Sequence, residues 1–376
     1  MASYSPVPIH HFSITLHGMW FFTVGPSQVY PTIPTYLQAA VAEGVMSLSH
    51  RSSEFSALYR ETQNRLRQLL GIPTDHRIFF LASANEAWER IIQNTVARVS
   101  AHYVHDAFGK RFAQIATELG KHPLSFTYSP ETCIDLDHIT VPPEAELLCF
   151  THNESSTGVM LDIQKIHEVK KTHPDKLIAL DAVSSLPYPD IDYTLIDMVY
   201  ASVQKGFGLP AGMAILIASP AAVAKSQQLL TSGASIGSYH RFPTLAAFDD
   251  KGQTPETPNV LGLYLLHQVL GDMCAQGIES IRTQTEEKAV LLSRAIDAHP
   301  LLTHAIPTPA DRSRTTPVVA VQGGSTKLIE HLARHGYLVG EGYGDQKDTH
   351  IRIANFPAHT KDQVLQLIRE MVKYSL

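Results

Sequence analysis

The sequence predicts an α/β fold, with a large domain around a mostly parallel or mixed sheet and a smaller α+β domain at the C-terminal end. Three observations carry this. Short apolar runs alternate with amphipathic, helix-length segments through the first two thirds of the chain. The runs 147–151, 176–182, 198–202 and 213–218 are continuous rather than alternating, the pattern of strands covered on both faces. After Pro258 the order becomes two long helical stretches and then strand, helix, strand, helix.

In chain order, Arg77–Leu81 is a short apolar strand followed by small residues. Asn85–Val99 places Ala87, Trp88, Ile91, Ile92, Thr95 and Val96 on one helical face. Ala101–Val104 is a weak strand, Lys110–Leu119 a helix stopped by Gly120, and Leu124–Tyr128 another strand. Ile163–Lys171 is an amphipathic helix closed by Pro174. Ser238–Pro258, rich in Thr, Pro, Gly and Asp, reads as a long loop. Leu261–Cys274 and Glu279–His299 are helical, Val318–Val321 a strand, Lys327–His335 a helix, Ile351–Ile353 a strand, and Thr360–Tyr374 a last helix. No repeat and no low-complexity segment interrupts this order. The expected division is 16–259 for the large domain and 260–376 for the small one, with residues 1–15 packing on the small domain or on a partner subunit.

The 376 residues are 44% hydrophobic and 18% charged, with a formal net charge of −6. That is an ordinary globular balance, and no basic excess points to nucleic acid or an anionic membrane. Cys133, Cys149 and Cys274 form neither a disulfide framework nor a zinc spacing, so a reducing compartment is expected. No Lys or Arg precedes Arg51, so no basic targeting segment is expected. The apolar stretch Met19–Val24 is too short to span a bilayer. A cytoplasmic protein follows. None of the 20 histidines has a spacing that demands a metal.

The chemistry concentrates between Asp181 and Lys205. Asp181 ends one buried strand, and Ser202, Gln204 and Lys205 end the next. In wound α/β sheets the ligand crevice lies outside the carboxyl ends of the strands, so a carboxylate and an amine reach one crevice. Gly206, Gly208 and Gly212 suit a tight turn and a close backbone approach there. Strand ends are often polar, and alone the pair would not identify a chemistry. Pyridoxal phosphate requires both groups: a lysine to bond its aldehyde and an aspartate to keep its ring nitrogen protonated.

Asp181, Ser184, the run Ser202-Val203-Gln204-Lys205, and Pro210-Ala211-Gly212 resemble the lysine region of the class V aminotransferases. The likeness extends over almost the whole chain and is most like phosphoserine aminotransferases. It implies a pyridoxal-phosphate-dependent transferase of fold type I, with a central, mostly parallel seven-stranded sheet. It also implies that Lys205 carries the cofactor and acts in catalysis with Asp181, which pairs with the ring nitrogen, and that Gln204 lies beside the cofactor. In His152-Asn153-Glu154-Ser155, Ser155 would contact the ring hydroxyl. Ser83, Ala84 and Asn85, opening a helix, would hold the phosphate on backbone N–H groups. Phe108 would stack on the ring. Thr257, in Thr254-Pro255-Glu256-Thr257, would reach the cofactor phosphate of a partner subunit, placing the active sites of a homodimer at its interface. Arg352 would grip the substrate α-carboxylate with its planar fork. His50 and Arg51, in Ser49-His50-Arg51-Ser52-Ser53-Glu54-Phe55, would hold a substrate phosphate. Val24-Gly25-Pro26-Ser27 resembles the family's opening turn.

Two features depart from the phosphoserine pattern. Asn85 stands where many such enzymes carry a phosphate-binding arginine, and a family histidine ahead of the carboxylate arginine has no clear counterpart among Asp345, Gln346, Lys347 and His350. An alanine– or serine–glyoxylate aminotransferase is therefore a second reading. A cysteine desulfurase is disfavoured, because no cysteine follows Cys274. A non-catalytic pyridoxal-phosphate binder is a third, against which the presence of both Lys205 and Arg352 argues. Small-molecule amino acids and 2-oxo acids are the expected substrates.

Overall fold

The computed structural model describes residues 18–375. The expectation for residues 1–15 lies outside them. Strands are numbered in chain order: β1 Trp20–Phe22, β2 Arg77–Leu81, β3 Val99–Val104, β4 His122–Thr127, β5 Leu147–Thr151, β6 Asn153–Glu154, β7 Val159–Met160, β8 Leu177–Asp181, β9 Met198–Ser202, β10 Ala214–Ala218, β11 Leu302–His304, β12 Val318–Val321, β13 Tyr337–Glu341 and β14 His350–Arg352.

The large sheet has seven strands in the order β2-β10-β9-β8-β5-β3-β4. All neighbours are parallel except β10, which runs antiparallel to both β2 and β9. Strands β5, β9 and β10 are buried at every position, as continuous apolar runs require. A second sheet has five strands in the order β1-β13-β14-β12-β11.

The helix after β2 is Ala84–Thr95, capped by the Ser83 hydroxyl, which accepts from the Glu86 N–H at 3.2 Å. It stops short of Val99, where the sequence pattern carried it. The Glu146 carboxylate takes the N–H groups of Ala97, Arg98 and Val99, and β3 begins at once.

The stretch expected to be one long loop contains the helix Phe242–Asp249, started by Pro243 in its first turn. Phe242 and Leu245 bury against Phe79 and Leu216 of the large sheet. Apolar packing runs across 259/260. The helix Val260–Gln276 puts Leu263, Leu266, Leu270 and Met273 into the same apolar cluster as Phe55 and Leu66 of the helix Ser53–Leu70. The next helix, Ile278–Asp297, buries Ile281 in that cluster but Leu292 and Ile296 in the C-terminal one. At the other end, β1 pairs in parallel with β13, so Phe22 joins the C-terminal core. Among the described residues, no helix is long and apolar enough to cross a membrane.

Candidate active site

The carboxyl ends of β8 and β9 deliver Asp181 and, three residues past Ser202, Lys205. Both are buried, 4% and 8% exposed. Burial pulls the Lys205 amine down to about 8; the charge of Asp181 opposes that fall and the charge of Arg352 adds to it. Burial likewise raises the Asp181 carboxyl, against the Val183 N–H and the charge of Lys205. The two groups sense each other, but among the described residues no ion pair joins them.

Asp181 is held from behind. Its Oδ1 accepts from the Val183 N–H at 2.9 Å, and its Oδ2 accepts from the Trp88 indole N–H at 3.2 Å. The same indole N–H lies 2.6 Å from the Tyr200 hydroxyl. Trp88 thus ties the helix that opens at Ser83 to the end of β8. Ser83 and Asn85 are exposed at that helix start, with Ala84 buried beneath them.

The Lys205 amine lies 5.5 Å from the centre of the Phe108 ring. Phe108 is in the first turn of the helix Ala107–Glu118, and Glu154 anchors that turn. Glu154 Oε2 accepts from the Gly109 N–H at 3.2 Å and Oε1 from the Ser156 hydroxyl at 2.7 Å. Burial pushes the Glu154 carboxyl up to about 7. Ser155, beside it, is buried, and its carbonyl accepts from Arg352 Nη1 at 3.3 Å. Arg352 Nε donates to the Glu341 carbonyl at 2.7 Å, and its guanidinium lies 5.3 Å from the Tyr343 ring centre. Burial lowers the Arg352 pKa. Lys205, Asp181, Phe108, Ser155 and Arg352 are therefore neighbours around one space at the carboxyl end of the sheet, linked through Lys205–Phe108, Phe108–Tyr343, Tyr343–Arg352 and Arg352–Ser155. Gln204, half-buried beside Lys205, gives its carbonyl to the Ser27 N–H.

Two glycines make this space possible. A Cβ on Gly206 would lie 1.9 Å from the Leu186 carbonyl oxygen, so the turn after Lys205 admits no side chain. Gly25 has a φ of 143°, and a Cβ there would sit 2.8 Å from Lys205 Cε. Gly25→Ala is expected to displace the lysine and lower kcat by about 100-fold, the scale of a 1 Å misplacement. Steady-state turnover with bound cofactor checks this; an unchanged kcat would show that Gly25 does not set the lysine's position.

His50, Arg51 and Thr257 lie elsewhere. Arg51 Nη1 donates to the Thr254 carbonyl at 2.6 Å and Nη2 to the Pro255 carbonyl at 3.2 Å. Thr257 is exposed just beyond. Among the described residues, no hydrogen bond or ion pair joins this group to Lys205 or Arg352. It connects instead to the helix start at Ser83, through His240. That buried imidazole pairs with Glu86 on one side and, at 2.9 Å, with Glu256 on the other. Burial opposes its charge, but the two carboxylates raise it to about 9, so it is a cation at neutral pH.

Trp88, Tyr200, Glu154 and His240 were not singled out from the sequence. One signal was available: Tyr200 and Ser202 alternate onto one side of β9, the side that faces Asp181's neighbours.

The residues fit pyridoxal phosphate. A partly deprotonated amine, a buried carboxylate held apart from it, an aromatic face and a helix N-terminus stand on one side of the sheet. The comparisons agree. The family model Aminotransferase class-V matches residues 23–342. A phosphoserine aminotransferase structure from Cytophaga hutchinsonii superimposes with a TM-score of 0.92 at 41% identity, covering 94% of this chain and 98% of that one. A putative phosphoserine aminotransferase of Mycolicibacterium vanbaalenii is 26% identical over 356 residues, 92% of each chain. An alanine–glyoxylate aminotransferase from Nostoc shares the fold, with a TM-score of 0.78 at 21% identity over 98% of this chain and 97% of that one. The chain belongs to the class V aminotransferases, of fold type I, and its cofactor is pyridoxal phosphate.

Proposed function

We propose that this aminotransferase exchanges the amino group of phosphoserine with that of glutamate, through their 2-oxo acids, in the supply of serine. The observation that carries the reading is the 41% identity, over 94% of the chain, to a phosphoserine aminotransferase structure. The bound cofactor supplies an aldehyde that accepts the amino group and a protonated ring that draws electrons from the substrate Cα. Lys205 would hold the cofactor through its amine. The same amine would act as general base and acid on the proton of the substrate Cα. Burial lowers its pKa to about 8 in the cofactor-free protein, which favours the uncharged, nucleophilic form.

Asp181 would keep the ring nitrogen protonated, and Trp88 and Val183 keep Asp181 in place. Phe108 would stack on the ring, Ser155 would contact its hydroxyl and Gln204 would lie beside it. The N–H groups at Ser83, Ala84 and Asn85 take the phosphate. Arg352 pairs with the substrate carboxylate; its Nε is already committed to Glu341, which fixes the plane of the fork.

His50, Arg51 and Thr257 serve the active site of a second copy. Their separation from Lys205 in one chain supports a homodimer with active sites at its interface. The two folding units are 16–259 and 260–376, and the helix Ile278–Asp297 packs into the apolar clusters of both. A cytoplasmic location suits the three free cysteines.

Arg51 provides the test of the substrate. Arg51→Ala is expected to raise KM for phosphoserine by about 10- to 100-fold, since a hydrogen bond to a charged group contributes about 1.5–3 kcal/mol. Alanine and serine, which lack the phosphate, should be used as before. Equal losses for phosphoserine and serine would remove Arg51 from the phosphate site and favour the glyoxylate-linked reading.

A further inference from the structure

We propose that the C-terminal domain carries a divalent-metal site formed by His331, His335 and Glu370. His331 lies in the last turn of the helix Thr326–Arg334 and His335 caps its C-terminal end. Glu370 belongs to the final helix, Lys361–Val372. One ligand atom from each of the three residues lies within 4.8 Å of the other two. The spacing of four places both imidazoles on one helix face, where their ring centres are 4.6 Å apart. That spacing alone did not demand a metal; the third ligand comes from a different helix.

Hydrogen bonding decides which ring nitrogens are free. A carbonyl oxygen can only accept. His335 Nδ1, 2.8 Å from the His331 carbonyl, therefore carries a proton and donates it. His331 Nε2, 3.1 Å from the Glu370 carbonyl, does the same. In the neutral rings the lone pairs are then on His335 Nε2 and His331 Nδ1. Such donation from the second nitrogen to a carbonyl is how metal-binding histidines are oriented.

His335 Nε2 stands 3.9 Å from Glu370 Oε2, too far for a hydrogen bond. That oxygen is buried and has no hydrogen-bond partner among the described residues. The carboxylate's other oxygen is taken by Lys373 Nζ at 2.7 Å. Two acceptors thus face each other with no proton between them, and the second imidazole, His331, stands beside them. Buried acceptors normally have a partner, and a bound cation would supply one.

Two imidazoles and one carboxylate suit Zn2+ and related first-row ions rather than Ca2+ or Mg2+, which take all-oxygen sites. Three protein ligands leave a position for water. The ion would join the helix Thr326–Arg334 to the final helix. None of its ligands belongs to the Lys205 site.

Equilibrium dialysis of the untagged holoenzyme against Zn2+ tests this. Wild type should bind one more equivalent per chain than His335→Gln or Glu370→Gln. The control His138→Gln, which removes an exposed imidazole paired with Asp135, should bind as wild type does. Because the His335 side chain is 47% exposed, its replacement leaves the fold intact, and unchanged turnover without Zn2+ verifies that. Zinc-edge X-ray absorption of the wild-type complex should show imidazole nitrogen ligands at about 2.0–2.1 Å. Equal Zn2+ binding by wild type and His335→Gln overturns the site, as does an equal loss in His138→Gln.

Discussion

Replacing Lys205 with alanine is expected to reduce transamination by about 10⁴-fold or more. General acid–base catalysis alone contributes about 10²–10⁴-fold, and the covalent attachment of the cofactor is lost with it. The cofactor should still bind, since its phosphate and ring nitrogen are held by other residues. The wild-type amine adds a second readout. With its pKa pulled to about 8 by burial, about a tenth of it is unprotonated at neutral pH, against about three in ten thousand for an ordinary lysine. The rate at which cofactor-free protein bonds pyridoxal phosphate should rise with pH around a midpoint near 8. The same shift has a sign in stability. Between about 8 and the ordinary lysine value the unfolded chain holds a proton that the fold has released. The cofactor-free protein therefore gains stability as pH rises through that window and loses it as pH falls. Substantial turnover by Lys205→Ala would end the assignment of this lysine.

Asp181→Asn is expected to lower kcat/KM by about 10²–10³-fold while the protein keeps its cofactor. Breaking a buried charge pair costs about 3–5 kcal/mol, and each 1.4 kcal/mol is tenfold. The amide cannot hold the ring nitrogen protonated. It also sets an NH₂ group against either the Val183 N–H or the Trp88 indole, both of which donate to the carboxylate. Removing the aspartate's charge should move the Lys205 loading midpoint below 8, because that charge now holds it up. A kcat/KM within a few-fold of wild type would mean that the ring is activated by another group. A midpoint moved upward would contradict the electrostatics.

Much of this was legible in the residues. β5 and β9 coincide with their apolar runs because strands buried on both faces need every residue apolar. Asp181 and Lys205 stand out because polar groups follow such runs directly. The helix Ser53–Leu70 is equally legible, with Phe55, Tyr59, Leu66 and Leu70 on one side between the cap Ser52 and Gly71. β1 and β13 were not: β1 has three residues, β13 ends in Gly340 and Glu341, and their pairing joins Trp20 to Tyr337 across almost the whole chain. The helix Phe242–Asp249 is hidden by the loop-like composition around it. Trp88 reads as a core residue on an apolar face, and it is one. Its second role, the N–H on Asp181, exists only once that helix crosses β8 and β9. Glu154 and His240 likewise depend on partners distant in sequence.

Single-turnover spectroscopy tests the central claim most directly. Purified holoenzyme is mixed in turn with phosphoserine, serine, alanine and glutamate, and the absorbance of the lysine-bound cofactor is followed as it becomes aminated. Phosphoserine and glutamate should convert it rapidly, and alanine should not. Rapid conversion by alanine or serine with no response to phosphoserine would contradict the substrate assignment, place the enzyme with the glyoxylate-linked aminotransferases and give Asn85 the meaning of a lost phosphate contact.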